Sequence, residues 1–576
     1  MIAFPEGWDG WNETRRKDYC RGAGIPFPGG NGKDNHLAVE TDDPWIIASD
    51  KPKSRKRREK DEDEKEKRPP QADRLIAIAT AGAKLFHDAD GNCYADLEIG
   101  GHRETRRLKS REFSGWLKRR YFEEESAAPN NEAMASAIGM IDAHAQYKAT
   151  EREVFVRSGG MDGKIYIDLC DAQWRAVEID ADGWWVVDAP PVRFRRTSGM
   201  QALPVPISGA SLATLKSYLN VASNDDFVLA VSWLLAALRN TGPYPILALA
   251  GEHGSAKSTF AQILRLLCDP NSAPLRTMPR DDRDLFIAAN NSHVLAFDNI
   301  SSIPAWISDT LCRLATGGGF ATRTLHTDQD ETLFNATRPI ILNGIEDLVK
   351  RSDLASRSIF LTLEPIPECD RRAEKEIIAK FEKDRPAILG ALFTALSEGV
   401  RRLPDIRLGY LPRMADFALW VTACEPVLWE AGSFQTAYFA NIASATEHVI
   451  DADPIGCAVR DFMKSRGHWE GTAAGLLGEL TEAVSDRIAK SKDWPVDSTR
   501  MSGRLRRVAE PLRKIGINIR FPTSHKRGRV LTISRSLENI ARTASPASQR
   551  PQSNEINDVG GTLGGTLRRK GDASVP

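Results

Sequence analysis

A chain of 576 residues has room for three or four domains. Its 78 basic and 78 acidic residues cancel to a formal net charge of zero, so overall charge says nothing about nucleic acid and only local patches can. The eight cysteines (Cys20, Cys93, Cys170, Cys268, Cys312, Cys369, Cys424, Cys457) are scattered without a Cys-x-x-Cys pair, which argues against a zinc site and fits a reducing cytosol. The stretch Met1–Glu6 lacks the basic start and apolar core of a signal peptide. The longest apolar run, Phe227–Leu238, is too short to span a bilayer. The expectation is a soluble cytoplasmic protein with no membrane partner.

Residues 1–50 are rich in Gly, Pro, Asp and Asn and carry no periodicity, so they are left unassigned. Residues 51–71 form a charge run closed by Pro69-Pro70 and read as a solvated linker. Residues 72–205 read as a small α+β domain. Asp73–Leu85, Arg111–Phe122 and Asn131–Tyr147 have helical patterning, and Gly100–Thr105 reads as a loop. Short β-type runs at Val154–Arg157, Lys164–Leu169, Trp174–Ile179 and Trp184–Val187, joined by Gly- and Asp-rich turns, predict a meander. Asp225–Arg239 predicts a strongly apolar helix.

The stretch that organises the chain follows. The apolar run Pro245–Ala250 reads as a buried strand, and Phe260–Leu267 has helical periodicity. Between them lies Gly251-Glu252-His253-Gly254-Ser255-Ala256-Lys257-Ser258-Thr259, the strand–loop–helix pattern of a phosphate-binding loop. Loop N–H groups and the positive end of the helix attract phosphates. Lys257 would reach the β- and γ-phosphates of ATP, and the Ser258 hydroxyl would hold Mg²⁺. The residue before the lysine is usually glycine; here it is Ala256.

Asp281 or Asp282 is positioned to cap the helix that follows Pro279-Arg280. Forty-one residues after Lys257, the strand His293–Phe297 ends in Asp298, placed to bind Mg²⁺ directly or through water. Forty-five residues further, Arg338–Leu342 ends in Asn343, which would position a water or sense the γ-phosphate. Arg351 and Arg357 lie just beyond. Either can act as an arginine finger toward a neighbouring subunit's ATP, or pair with Asp353 on the surface.

These motifs resemble the superfamily 3 helicases within the AAA+ ATPases. Over roughly residues 73–535 they also resemble the ATP-binding proteins of phages and integrative elements, through Gly-Ser-Ala-Lys-Ser-Thr (254–259), Leu-Ala-Phe-Asp-Asn (295–299) and the 313–323 run Arg-Leu-Ala-Thr-Gly-Gly-Gly-Phe-Ala-Thr-Arg. The resemblance implies a P-loop ATPase core over 206–369 and a homo-oligomeric ring such as a hexamer. It also implies a hairpin over 317–334 that enters a central channel, with Arg323 and His326 as its possible DNA contacts. An ordinary surface hairpin explains that segment equally well, since its tip is acidic. One further departure stands out: the family usually has a second acid after the Asp, and this chain has Asn299, which cannot serve as a carboxylate base.

Residues 370–452 read as a helical lid. Residues 453–535 show helices Ile455–Arg466, Ala473–Arg487 and Ser498–Ile515, then strands Ile517–Phe521 and Val530–Ser534, the order of a winged helix. Residues 494–530 carry ten basic residues against Asp497 and Glu510, a local charge of +8. Arg500, Arg504 and Arg507 share one helix face, and Lys526 and Arg527 sit in a basic wing, so this domain is expected to bind DNA. Residues 536–576 read as a disordered tail.

The expected fold is thus α/β: a P-loop AAA+/superfamily 3 helicase-like core with an N-terminal α+β domain and a C-terminal winged-helix-like domain. The expected function is an ATP-hydrolysing, helicase-like DNA motor or remodeller of a phage or mobile element, acting in DNA replication. The rivals are an ATP-gated DNA-binding or loading factor without unwinding activity, a small-molecule phosphotransferase, and a structural DNA binder with a degenerate nucleotide site.

Overall fold

The structure is a computed structural model that describes residues 69–318, 320–323, 331–334, 336–345, 351–521 and 530–536, the side chains of 320–323 and 331–334 excepted. The expectations for residues 1–50, for the charge run 51–68, for the wing with Lys526 and Arg527, for the tail and for the side chains of Arg323 and His326 lie outside the described residues.

The first layer is built from α1 (Gln71–Gly82), β1 (Ala83–His87), β2 (Cys93–Ile99), β3 (His102–Arg107), α2 (Arg111–Glu125), α3 (Asn131–Lys148) and β4 (Thr150–Glu151). Its sheet has the order β3-β2-β1-β4. Leu75, Leu97, Phe113, Leu117 and Ile141 are fully buried between sheet and helices. Two expectations fail here. The first helix stops at Gly82 rather than Leu85, because Ala83–His87 pair antiparallel with Leu97–Cys93. Sheet pairing outweighs helix propensity once Gly82 weakens the helix. The expected loop Gly100–Thr105 is a tight turn at Gly100 and Gly101, both at positive φ, that leads straight into β3. β3 is a polar edge strand, so it shows no apolar alternation.

Next come the short parallel pair β5 (Val154–Phe155) and β10 (Arg193–Phe194), and the antiparallel meander β6 (Ser158–Met161), β7 (Lys164–Asp168), β8 (Ala176–Asp180) and β9 (Gly183–Val187). Arg157, expected in a strand, instead takes φ 67° and is fully buried. The meander's Ile165, Ile167, Val177 and Ile179 belong to the same apolar cluster as the central sheet and the lid.

The central part runs α4 (Ala213–Lys216), α5 (Asn224–Ala237), β11 (Ile246–Gly251), α6 (Lys257–Cys268), α7 (Asp282–Asn291), β12 (Leu295–Ile300), α8 (Ala305–Thr316), the hairpin β13 (Phe320–Arg323) and β14 (Glu331–Phe334), β15 (Ile340–Gly344), α9 (Ser352–Ala355) and β16 (Ser358–Leu363). Ser223 and Asp226 close a capping box on α5, whose residues Phe227–Ala237 are all buried. The sheet is parallel throughout, in the order β12-β15-β11-β16. Beyond β12, a single parallel bridge joins Arg276 to Phe297. Near-continuous apolar strands are what a sheet covered on both faces requires. The antiparallel pairing of β13 with β14 matches the expected hairpin.

The segment expected to form a helical lid consists of α10 (Glu374–Arg402), α11 (Ala415–Cys424) and α12 (Ser433–Asp451). Midway along α12, the Asn441 amide accepts from Phe360 N at 3.0 Å and donates to Phe360 O at 2.6 Å. It thereby occupies the outer edge of β16 as a neighbouring strand would.

The C-terminal part runs α13 (Pro454–Phe462), β17 (His468–Thr472), α14 (Ala473–Ala483), α15 (Asp486–Ala489), α16 (Ser498–Lys514), β18 (Ile517–Arg520) and β19 (Val530–Arg535), with sheet order β17-β19-β18. The helices expected to reach Arg466 and Arg487 stop earlier, and β17 was not expected. It is a five-residue strand with Trp469 alone buried, too polar to stand out. Its own core includes Ile455, Val459, Leu476, Leu505, Leu512 and Ile533. α16 meets the central part at a narrow seam, where Pro511 and Lys514 face Ser352, Ala355 and Ser356 of the α9 region and Ala445 and Val449 of α12. Among the described residues no helix is long and apolar enough to cross a membrane.

Candidate functional site

Three strand ends and one helix end converge. β11 ends at Gly251, and the chain turns through Glu252–Ala256 into α6. Gly251 has φ 148°; a Cβ there would stand 2.4 Å from Leu363 O, so the close approach of β16 requires glycine. Gly254 has φ 83°, and the Arg371 guanidinium lies against it. Ala256 has φ 58° and ψ 29°, the left-handed region that favours glycine. A loop shaped for Gly is held by Ala at a modest strain cost.

The chain holds this shape with specific bonds. Ser255 is fully buried and its hydroxyl donates to Glu252 O at 2.9 Å. The Asn220 amide donates to Ser255 O at 3.0 Å and to Glu364 O at 2.7 Å, tying the loop to the end of β16. Ile366 N donates to Gly254 O at 3.2 Å. Neither Asn220 nor Arg371 carries a sequence signal that marks it.

Lys257 opens α6, and its Nζ donates to Gly251 O at 2.8 Å, Glu252 O at 2.7 Å and Ser255 Oγ at 3.3 Å. Burial lowers its pKa from the ordinary lysine value, and the nearby Asp298 charge partly restores it. Ser258 Oγ donates to Asp298 Oδ2 at 2.9 Å. The Asn343 amide donates to Asp298 Oδ1 at 2.6 Å and to Ser258 Oγ at 3.3 Å, while its Oδ1 is buried with no partner among the described residues. Asn299 follows Asp298 at φ 56°, and its N–H donates back to the Asp298 carboxylate at 2.8 Å.

The start of α6 lacks the side-chain cap that seven of the described helices have. Ser110, Asn130, Ser223, Asp281, Asp453, Thr472 and Asp497 cap theirs, as expected for Asp281. α6 has no side-chain cap. Its first-turn N–H groups are therefore open to an external acceptor. An ammonium, uncapped amides, a hydroxyl and a carboxylate form a set that can hold a polyphosphate with a divalent cation. No group of three or more His, Cys, Asp or Glu side chains gathers into a metal site among the described residues. A cation here would rest on Ser258 and Asp298, with substrate oxygens and water filling its remaining positions.

Arg351 and Arg357 stand apart from this cluster. Arg351 is held on the surface by Asp309 at 2.7 Å and Asp353 at 2.8 Å. Arg357 is not ion-paired with the Asp353 carboxylate. Its Nη1 donates to Asp353 O at 2.9 Å, and its Nε is buried without a partner among the described residues. It lines an open depression with Asp282, Trp306, Cys312, Asp353 and Arg413.

On α16, Met501, Leu505, Val508 and Leu512 are buried, and Arg500, Arg507 and Arg513 are exposed. Arg504 is different: it pairs with Asp453 at 3.3 Å and Asp493 at 3.1 Å, fastening α16 to the start of α13. Its guanidinium is thus already engaged within the protein.

Residues 212–442 match the family model of the actinomycete integrative conjugative element replication protein, and residues 455–555 match that of the AICE RepA C-terminal domain. No curated protein matches the chain. Among solved structures, an A-form apo structure of the NrS-1 C-terminal region is 12% identical, covering 80% of this chain and 98% of that one with a TM-score of 0.37. Another apo structure of that region is 11% identical, covering 81% and 100%, with a TM-score of 0.35. The family matches support a role in the DNA replication of a mobile element.

Proposed function

We propose that this protein is a Mg²⁺-dependent ATPase of the P-loop AAA+ type, similar to the superfamily 3 helicases, that moves or remodels DNA during replication of a mobile element. The observation that carries this reading is the convergence of Lys257, Ser258, Asp298 and Asn343 at the uncapped start of α6. Supporting it, the strand order β12-β15-β11-β16, extended by the Arg276 bridge, puts Lys257 and Asn343 on adjacent strand ends with Asp298 beside them. In this reading Lys257 releases its loop carbonyls to neutralise β- and γ-phosphate charge. Ser258 and Asp298 hold the cation, which supplies electrostatic stabilisation of the transferring phosphoryl group. The unpartnered Asn343 Oδ1 orients the attacking water. The subunits form a ring in which Arg357 meets a neighbour's nucleotide, and the exposed arginines of α16, on a winged-helix-like domain, contact DNA.

Asn299 favours one alternative. Without a carboxylate at that position hydrolysis is slow, and the protein acts as an ATP-gated DNA-loading factor that does not unwind. Measuring ATPase rate with and without single-stranded and duplex DNA, beside a strand-displacement assay, separates the two. Lys257→Ala should abolish turnover while leaving the fold intact; normal turnover in that variant would overturn the whole reading.

A further inference from the structure

Residues 103–120 hold eight basic residues against Glu104 and Glu112, a local net charge of +6 in a neutral chain. They form β3, the following turn and most of α2, far in sequence from the basic helix α16. Three features of α2 go beyond a merely solvated face. First, Arg111, Gly115, Lys118 and Phe122 follow helical spacing, lie on one face, and are all exposed. Phe122 leaves 59% of its surface in water. Second, Arg111 and Lys118 form no ion pair within the described residues, unlike Arg119 and Arg120, which share Glu123. Apart from Glu112, the charges also run against the helix dipole, with cations from Arg111 to Arg120 and Glu123, Glu124 and Glu125 in the last turn. Helix stability therefore does not account for the placement of Arg111 and Lys118. Third, Gly115 sits in mid-helix, where glycine is among the least favourable residues. A Cβ there would meet nothing within 4 Å, so packing within this protein does not call for it. A bare backbone between two cations leaves room for a close approach from outside.

We infer that this face of α2 grips single-stranded nucleic acid, with Arg111 and Lys118 on backbone phosphates, the chain passing over Gly115, and Phe122 stacked against a base. Aromatic stacking beside a basic track is the general chemistry of sequence-tolerant single-strand binding. The site is independent of the nucleotide cluster and of α16.

The test uses the full chain carrying Arg500→Ala and Arg507→Ala, so that the α16 face does not dominate, and measures oligothymidylate binding across a salt series. Adding Arg111→Ala and Lys118→Ala should flatten the log–log salt slope by about 1.4, roughly 0.7 per lost phosphate contact. Phe122→Ala should weaken binding about tenfold without changing the slope. Gly115→Leu should weaken it at unchanged charge. All these residues are exposed, so the melting temperature should not fall, though Gly115→Leu should raise it slightly by supplying a better helix former, and the DNA-independent ATPase rate should not move. Wild-type affinity and slope in the Arg111, Lys118 variant would overturn the proposal. So would a neutral Phe122→Ala accompanied by equal losses on duplex, which would leave only a non-specific charged face.

Discussion

Asp269 is fully buried, and everything around it is arranged to keep it charged. Burial opposes its ionisation, but Arg157 and Arg265 hold its carboxyl below the usual range. Arg157 Nε donates to it at 3.1 Å, and the N–H groups of His293 and Val294 donate at 3.0 and 3.2 Å. His293 stays neutral beside it because burial lowers its pKa to about 4 against the opposing pull of the Asp269 charge, and Nε2–H donates to Ala237 O at 2.6 Å. The unfolded chain takes up this proton near pH 6.5 and the folded chain only near 4. The stabilisation is therefore complete above about pH 6.5 and is lost as pH falls toward 4. Relative to His293→Gln, which keeps the donor, the wild type should lose up to about 3 kcal/mol across that window. Urea unfolding at pH 7 and pH 4.5 measures this, and parallel losses in both proteins would refute it. A second residue-scale prediction concerns Asn299→Glu, which should raise the ATPase rate if a missing second acid limits water activation. Unchanged turnover at full Mg²⁺ occupancy would assign the base elsewhere. That Lys257, Ser258, Asp298 and Asn343 come together was legible because each closes an apolar strand or opens the helix after one, and parallel strands bring such ends to one edge. Asn220 was not, because its work is to bond two main-chain carbonyls, which many polar residues at many positions can do.

Among the elements, α16 was read to within a residue of its end, since an apolar stripe and a cationic face fix a helix from two sides. β3 and β17 were missed for the opposite reason: short polar strands are specified by their neighbours across the sheet rather than by their own pattern. The structure also divides the three arginines that spacing had grouped. Replacing Arg500, Arg507 and Arg513 with alanine should flatten the salt dependence of duplex binding by up to about 2.7, near 0.9 per contact. Arg504→Ala should change that slope little and lower the melting temperature instead, because its partners Asp453 and Asp493 belong to the same domain. Salt titrations and thermal melts of the two variants distinguish the roles, and a steep slope loss from Arg504→Ala alone would return it to the DNA face.

For the molecule as a whole, the layered order of parallel sheet, helical lid and terminal small sheet was legible from alternating apolar runs and helical spacing. The sharing of one core by the meander, the central sheet and the lid was not, because long-range packing leaves no local pattern. In the ring proposed above, Arg357, which lines an open depression, acts at this scale. Mixing Arg357→Ala with Lys257→Ala subunits should recover part of the ATPase activity that each lacks alone. Hetero-rings that form and stay inactive would rule out a role in trans.

The Asn441 clamp gives α12 the mechanics of a lever. One half of the helix is anchored in the core by Phe434, Ala437 and Tyr438, and the fulcrum is the pair of bonds to Phe360 on β16. The arm from Asn441 to Asp451 is about 15 Å long, at about 1.5 Å per residue, and is itself packed: Ala445, Thr446, Val449 and Ile450 are buried, with Ala445 and Val449 against α16 and the α9 region. A tilt of about 5° moves the end of such an arm by about 1.3 Å, more than a hydrogen bond tolerates. α12 therefore joins α16 and the α9 region, beside Arg357, to the edge of the parallel sheet through a single amide.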